Sequence, residues 1–146
     1  MAFKNDGLNV QEYVYDFAVD GGAVTGHILS NKAGYDPIPT GAIVKAGTEK
    51  VVTTVTCSTG GTIEWGNGDN ADGYSGSAAQ ASGFTAGNLY TGWDNGSELL
   101  WDDTNDHPIP LYIDDATTGQ FKMTVGTATL TAGKIVFLVE YLLPSV

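Results

Sequence analysis

The sequence predicts an all-β fold, a two-sheet antiparallel sandwich of jelly-roll or Greek-key type with about eight strands. Several short segments alternate apolar and polar residues, which is the pattern of a sheet with one buried face. Turn sequences rich in Gly, Asn and Asp separate these segments at short intervals. No long window shows the 3.6-residue period of an amphipathic helix, so we expect the segments to be joined by turns.

Four segments carry the clearest strand patterns. Residues 12–20, 50–57 and 121–125 place apolar side chains at every second position. Residues 134–143 are apolar on both faces in the middle of the segment, which predicts a central strand that is covered on both sides. Shorter strands are predicted at residues 24–30, 43–46, 62–65, 84, 89–91, 99–101 and 109–113.

Glycine-containing turns separate the predicted strands. They are predicted at Asp20-Gly21-Gly22, Gly60-Gly61, Asn67-Gly68, Asp94-Asn95-Gly96, Thr118-Gly119 and Ala132-Gly133. Residues 77–81 (SAAQA) predict one helical turn. The length of 146 residues is that of one domain, which we assign to residues 11–146, with residues 1–10 as a possible N-terminal arm.

The chain is strongly acidic and contains no arginine. Asp and Glu number 17, Lys and Arg number 6, all six basic residues are lysines, and the formal net charge is −11. Because nucleic-acid binding depends on Lys and Arg neutralising phosphates, we expect neither nucleic acid nor an anionic membrane as a partner. No signal peptide is visible in residues 1–10, and no apolar run approaches the roughly 20 residues of a membrane span.

Two polar loops are candidates for binding a metal ion. Residues 66–74 (GNGDNADGY) combine Asn and Asp with glycine, so their oxygens could wrap a calcium ion. The spacing departs from the helix–loop–helix calcium motif, because Ala71 occupies the fifth position and no glutamate follows at the twelfth. The simpler interpretation is a polar turn in which Asn and Asp bond to their own backbone and glycines supply positive φ angles.

The second loop, residues 101–107 (WDDTNDH), holds three carboxylates and His107. Such groups could bind a metal or perform acid–base chemistry. The other histidine of the chain, His27, lies 80 positions upstream, and no nucleophile, base and orienting group occur together. We therefore interpret this loop as a solvated corner and predict no enzyme, no catalytic or metal-binding residues and no cofactor.

The remaining candidates are Cys57 and the three tryptophans. Cys57 continues the face of Val51 and Val55, which predicts a small buried hydrophobe. Trp65, Trp93 and Trp101 could stack on sugar rings, but such residues more often cap the edge of a sandwich core or anchor an interface.

The order of several short motifs resembles a family of tailed-bacteriophage head decoration (capsid cement) proteins. The run Gly41-Ala42-Ile43-Val44-Lys45 precedes the alternating strand of residues 51–57. It is followed by TIEWGN at residues 62–67, ADGY at residues 71–74, and VGTA and LTAGK near the last strand. The resemblance covers roughly residues 41 to 142 and does not extend to the first forty residues or to residues 93–107.

This resemblance implies a β-sandwich that binds the outer surface of a phage head as a homotrimer, between the capsomers. The partner would be the major capsid protein, and the protein would be made in the host cytoplasm and end in the virion. Two other interpretations stay open at this point: a sandwich protein of the phage tail or fibre, and a carbohydrate-binding module that uses the tryptophans.

Overall fold

The computed structural model describes residues 7–75, 79–91 and 111–144. Within them the chain forms nine β-strands, one helical turn and two 3₁₀ turns. The helical turn α1 is Phe17–Asp20, and the 3₁₀ turns are Leu29–Asn31 and Ala81–Gly83. The strands are β1 (Asn9–Asp16), β2 (Gly26–Ile28), β3 (Ile43–Cys57), β4 (Thr62–Gly66), β5 (Ala79–Gln80), β6 (Leu89–Thr91), β7 (Leu111–Tyr112), β8 (Lys122–Gly126) and β9 (Leu130–Leu142). No helix of the described part is long and apolar enough to cross a membrane.

The strands form two antiparallel sheets, which confirms the all-β sandwich. One sheet has the order β1-β9-β3-β6, with β7 also pairing with β3, and the other has the order β2-β8-β4-β5. Leaving β7 aside, the strands pair from the two ends of the chain inwards. In the first sheet β1 pairs with β9 and β3 with β6, and in the second sheet β2 pairs with β8 and β4 with β5. This order is a long hairpin folded over on itself, which is a jelly roll.

An aromatic core fills the space between the two sheets. Tyr13 of β1 stacks on Phe121 with ring centroids 4.7 Å apart. Phe121 lies 5.0 Å from Phe137 of β9, and Phe137 lies 5.6 Å from Trp65 of β4. These rings come from both sheets, so they join the layers directly, in the offset or tilted arrangements that aromatic pairs favour.

The first strand is shorter at its carboxyl end than its alternation predicts. The predicted strand 12–20 stops at Asp16, and Phe17–Asp20 form α1. The cause is a pair of aspartates: the Asp16 side chain accepts the Ala18 N–H at 3.0 Å, and the Asp20 side chain accepts the Asp16 N–H at 2.8 Å. These bonds satisfy N–H groups that a helix start leaves free. Val19, which was predicted on the buried face, is consequently 74% exposed.

Strands β3 and β9 are longer than predicted. Residues 43–46 and 50–57 form one strand, because Gly47, Thr48 and Glu49 pair with β9 and keep the ladder continuous. The turn predicted at Ala132-Gly133 is wrong, since both residues lie inside β9. Gly133 has a φ of +143°, and a side chain there would crowd Val55. The glycine therefore permits close strand contact rather than a turn.

Two smaller predictions also change, and a third is not tested. Strand β2 covers only Gly26–Ile28 of the predicted segment 24–30: residues 24 and 25 precede it, and residues 29 and 30 belong to a 3₁₀ turn. The helical turn predicted at residues 77–81 is wrong for Ala79 and Gln80, which form β5, while residues 76–78 lie outside the described part. The strand predicted at residues 99–101 also lies outside it. Asn9 and Val10 pair with Tyr141 and Glu140, so the sheet includes the end of the possible arm.

Candidate functional site

The polar loop of residues 66–74 is a turn that uses its oxygen atoms internally. The Asn67 side chain is fully buried, and its Oδ1 accepts the N–H groups of Asp69 at 2.9 Å and Asn70 at 2.8 Å. Asn70 Oδ1 in turn accepts the Asp72 N–H at 3.3 Å. This is the predicted turn chemistry. Burial and, to a smaller extent, the neighbouring Asp72 carboxylate raise the pKa of Glu64, and the positive charge of Lys122 offsets only part of this effect.

The glycines of this loop serve a purpose different from the predicted one. Gly66, Gly68 and Gly73 do not have positive φ angles. A side chain at Gly66 would instead overlap the Asn70 carbonyl oxygen, and one at Gly68 would lie against the Thr117 carbonyl. The glycines therefore allow close packing of backbone on backbone, and they seat the loop against the turn at residues 115–118.

The structure places the other predicted site residues as follows. Trp65 is 6% exposed and packs on Phe84 and Phe137, so it belongs to the edge of the core, as predicted for one of the tryptophans. Cys57 is half-buried and packs against the core, which partly confirms its prediction. Trp93, Trp101 and the loop 101–107 lie outside the described residues. Among the described residues, no group of three or more His, Cys, Asp or Glu side chains is placed to hold a metal ion.

A recess of about 320 Å³ opens at the edge of the sandwich where β5 and β6 lie. Trp65, Phe84 and Tyr90 provide aromatic rings, and Glu49 provides the single carboxylate of the described lining. The Tyr90 hydroxyl is engaged, because it donates to the Gly83 carbonyl at 3.0 Å and accepts from Asn88 at 3.0 Å. Acid–base catalysis requires several titratable groups that converge on one reacting atom, and the described lining does not supply them.

The most distinctive surface is the outward-facing side of the five-stranded sheet. On strand β9 the inward residues from Ile135 to Tyr141 are buried, whereas Val136, Leu138 and Leu142 alternate with them and remain partly exposed. The prediction that β9 is central is confirmed, because β1 and β3 flank it. On its outer face, Val136, Leu138 and Leu142 are intermediate in exposure, so among the described residues that face is only partly covered.

Neighbouring strands extend this apolar stripe across the sheet. Directly paired residues of an antiparallel sheet have side chains on the same face, so the register identifies the outer residues. Four cross-strand rows result, and we call them together the outer apolar face: Tyr112–Ile43–Leu142, Ala46–Glu140–Val10, Thr48–Leu138–Glu12 and Leu89–Lys50–Val136–Val14. Val10 is 56% exposed, Tyr112 59% and Leu89 60%.

The outer apolar face has the composition of a protein-binding surface. Aliphatic and aromatic side chains dominate it, and its charges are few: Glu12, Glu140 and Lys50. A sheet face of this kind normally carries polar residues where it meets water. Adjoining apolar side chains that are exposed or partly exposed are instead typical of a surface that contacts another macromolecule.

Sequence reasoning missed this face, although a signal for it was present. The run of apolar residues on both faces of residues 134–143 predicts burial on both sides. The same pattern arises when one face packs in the core and the other is an interface. The alternation of Val10, Glu12 and Val14 with buried tyrosines was a second signal.

Comparison with solved structures finds chains from two phage capsids. A chain of the cyanophage Pam1 capsid asymmetric unit matches with a TM-score of 0.63 and 16% identity, over 99% of this chain and 90% of that one. A chain of the capsid of Ralstonia phage GP4 matches with a TM-score of 0.52 and 9% identity, over 100% of this chain and 90% of that one. No protein-family model and no curated protein matches the sequence. The likeness at these identities establishes a shared fold, and that fold spans nearly the whole chain.

Proposed function

We propose that this chain is a structural protein of a phage virion that binds the outer surface of the head. In this role it is a decoration, or cement, protein that bridges neighbouring capsid subunits and carries out no catalysis. The fold supports the proposal, because chains of two phage capsids share it over nearly the full length of this chain. The motif order described above supports the same assignment.

The observation that carries the proposal is the outer apolar face. A protein that binds a capsid needs a rigid contact surface, and a five-stranded sheet with an aromatic core beneath it is rigid. Apolar side chains across four rows supply the area that excludes water from an interface. The net charge of −11 and the absence of arginine favour a positively charged partner surface and disfavour the viral genome as a partner.

We further propose that the partner is the major capsid protein and that the protein assembles as a homotrimer between capsomers. A trimer presents three copies of the outer apolar face, so a weak contact of each copy becomes a tight contact of the assembly. Light scattering measures the mass of the purified protein directly. A strict monomer would contradict the trimer.

Binding to heads tests the function. Undecorated heads of the phage that encodes the chain are mixed with the purified protein, sedimented and imaged by cryo-electron microscopy. We expect density on the outer head surface. Density on the tail or fibres alone would favour the alternative tail protein and would refute the proposal.

Two matched substitutions locate the contact surface. Leu89→Asp places a charge in the outer apolar face, where Leu89 is 60% exposed, and should weaken head binding by about tenfold or more. Val24→Asp is the control, because Val24 is 51% exposed but lies in the connection before β2, outside that face. Equal effects of the two substitutions would show that the face is not the contact.

A further inference from the structure

The edge of the five-stranded sheet is formed by β1, which pairs with β9 on one side only. Two hydrogen bonds show which residues direct their backbone groups to the free side. The Val14 carbonyl accepts from Lys32 Nζ at 2.7 Å, and the Asp16 N–H donates to Asp20 at 2.8 Å. Because backbone direction alternates along a strand, Val10 and Glu12 also direct their N–H and C=O groups to this side.

The two halves of this edge differ. Lys32 and Asp20 form an ion pair of 2.8 Å and cover the half at Val14 and Asp16. The N–H and C=O groups of Val10 and Glu12 have no hydrogen-bond partner outside the β1·β9 ladder among the described residues. Open edges of this kind are normally blocked, since they act as templates for another strand. Among the described residues, only the half of the edge at Val14 and Asp16 is blocked.

We propose that the open edge at Val10 and Glu12 binds an extended, basic segment of the capsid partner by β-strand addition. This inference rests on the proposed function, and it specifies how part of the contact is made. The added strand extends the five-stranded sheet and takes its backbone hydrogen bonds from these two residues. The Lys32 side chain, which bonds to the Val14 carbonyl, limits the length of the added strand at one end.

The side chains beside the edge define the chemistry of the partner segment. Glu12 is exposed on the outer face, and Glu140 lies next to it, paired with Val10. A lysine or arginine opposite Glu12 would therefore be favoured, with aliphatic residues two positions away on the same face against Val10 and Val14. The open edge is continuous with the outer apolar face, since Val10 and Glu12 belong to both. One partner can therefore occupy both.

Glu12→Pro tests the backbone part of the inference. Proline removes the Glu12 N–H, which faces away from β9, so the β1·β9 ladder stays intact. We expect the melting temperature to change by only a few degrees and head binding to weaken by about tenfold or more. Glu12→Gln is the matched control that keeps the N–H and removes the charge. It should weaken binding less and reduce the salt dependence of binding.

Amide hydrogen exchange on the unmodified protein gives a second, independent measurement. The Val10 and Glu12 amides should exchange rapidly in the free protein and become protected on heads. This measurement remains decisive if the proline variant does not fold. Amides that stay unprotected on saturated heads would overturn the inference.

The outcomes separate this inference from the proposed function. If Glu12→Pro binds heads like the unmodified protein while Leu89→Asp does not, the outer apolar face is the contact and the open edge is not. If the unmodified protein does not bind heads, both the proposed function and this inference fail. If Glu12→Pro lowers the mass in solution and leaves head binding intact, a second copy occupies the edge, and the inference about a capsid segment is wrong.

Discussion

Replacing Asn67 by alanine tests whether the loop of residues 66–74 is a self-contained turn. The Asn67 Oδ1 atom accepts two backbone N–H groups, at 2.9 and 2.8 Å, and the side chain is fully buried. Each such bond contributes about 1 kcal/mol net, so Asn67→Ala should lower the free energy of unfolding by roughly 2 kcal/mol. For a domain of this size, that loss corresponds to a decrease of about 4–8 °C in the melting temperature.

The assay is chemical and thermal unfolding at one fixed protein concentration, with Asp69→Asn as the control. Asp69 is exposed, and its carboxylate would be a ligand only if the loop bound a cation. We expect Asp69→Asn to change the free energy of unfolding by less than about 0.5 kcal/mol. The reasoning is refuted if both substitutions destabilise equally, or if calcium raises the melting temperature of the unmodified protein but not that of Asp69→Asn.

Three further predictions concern the fold. Phe137→Ala removes a buried ring that touches Phe121 and Trp65, so it should lower the free energy of unfolding, measured with denaturant, by about 3–5 kcal/mol. A decrease of less than about 1 kcal/mol would contradict this packing. Gly66→Ala should lower the melting temperature, because its methyl group would overlap the Asn70 carbonyl, whereas Gly83→Ala, with open space around it, should not. Glu64→Gln should raise stability at neutral pH, since the pKa of Glu64 is raised by burial and its ionised form is disfavoured in the folded state. This gain should vanish as the pH falls below the ordinary glutamate pKa of about 4.3, because the carboxyl group is then protonated in both the folded and the unfolded state. Unfolding measured across a pH series checks this, and a gain that grows as the pH falls would contradict it.

The strand pattern of the sequence was a reliable guide where the strand is regular, but it was wrong at Thr53, which is exposed because register shifts interrupt β3 on both sides of it. Tyr13 and Tyr15 alternate with more exposed neighbours, as do Val51 and Val55, and both pairs are buried as predicted. Side-chain alternation depends only on the local geometry of a strand, so it can be read without knowledge of the partner strands. The same holds for the asparagine-rich turn, whose bonds join residues two or three positions apart.

Strand ends were less predictable, because they depend on specific side-chain contacts, some local and some between residues distant in sequence. The Asp20 carboxylate accepts the Asp16 N–H and pairs with Lys32, and these contacts hold the helical turn that ends β1. Gly133 resembles a turn residue in the sequence, yet it lies within β9 and makes room for Val55. A glycine that allows close approach and a glycine that allows a turn look the same in a single sequence.

The sequence by itself determined the all-β class, the acidic and arginine-free composition, and the burial of the aromatic residues that lie in alternating strands, such as Tyr13 and Tyr15. Each of these follows from composition or from a two-residue period, which are local properties. Only the tertiary structure decided the jelly-roll strand order, the outer apolar face and the half-open edge of β1. These depend on which strands become neighbours and which apolar side remains uncovered, and pairing between distant strands sets both.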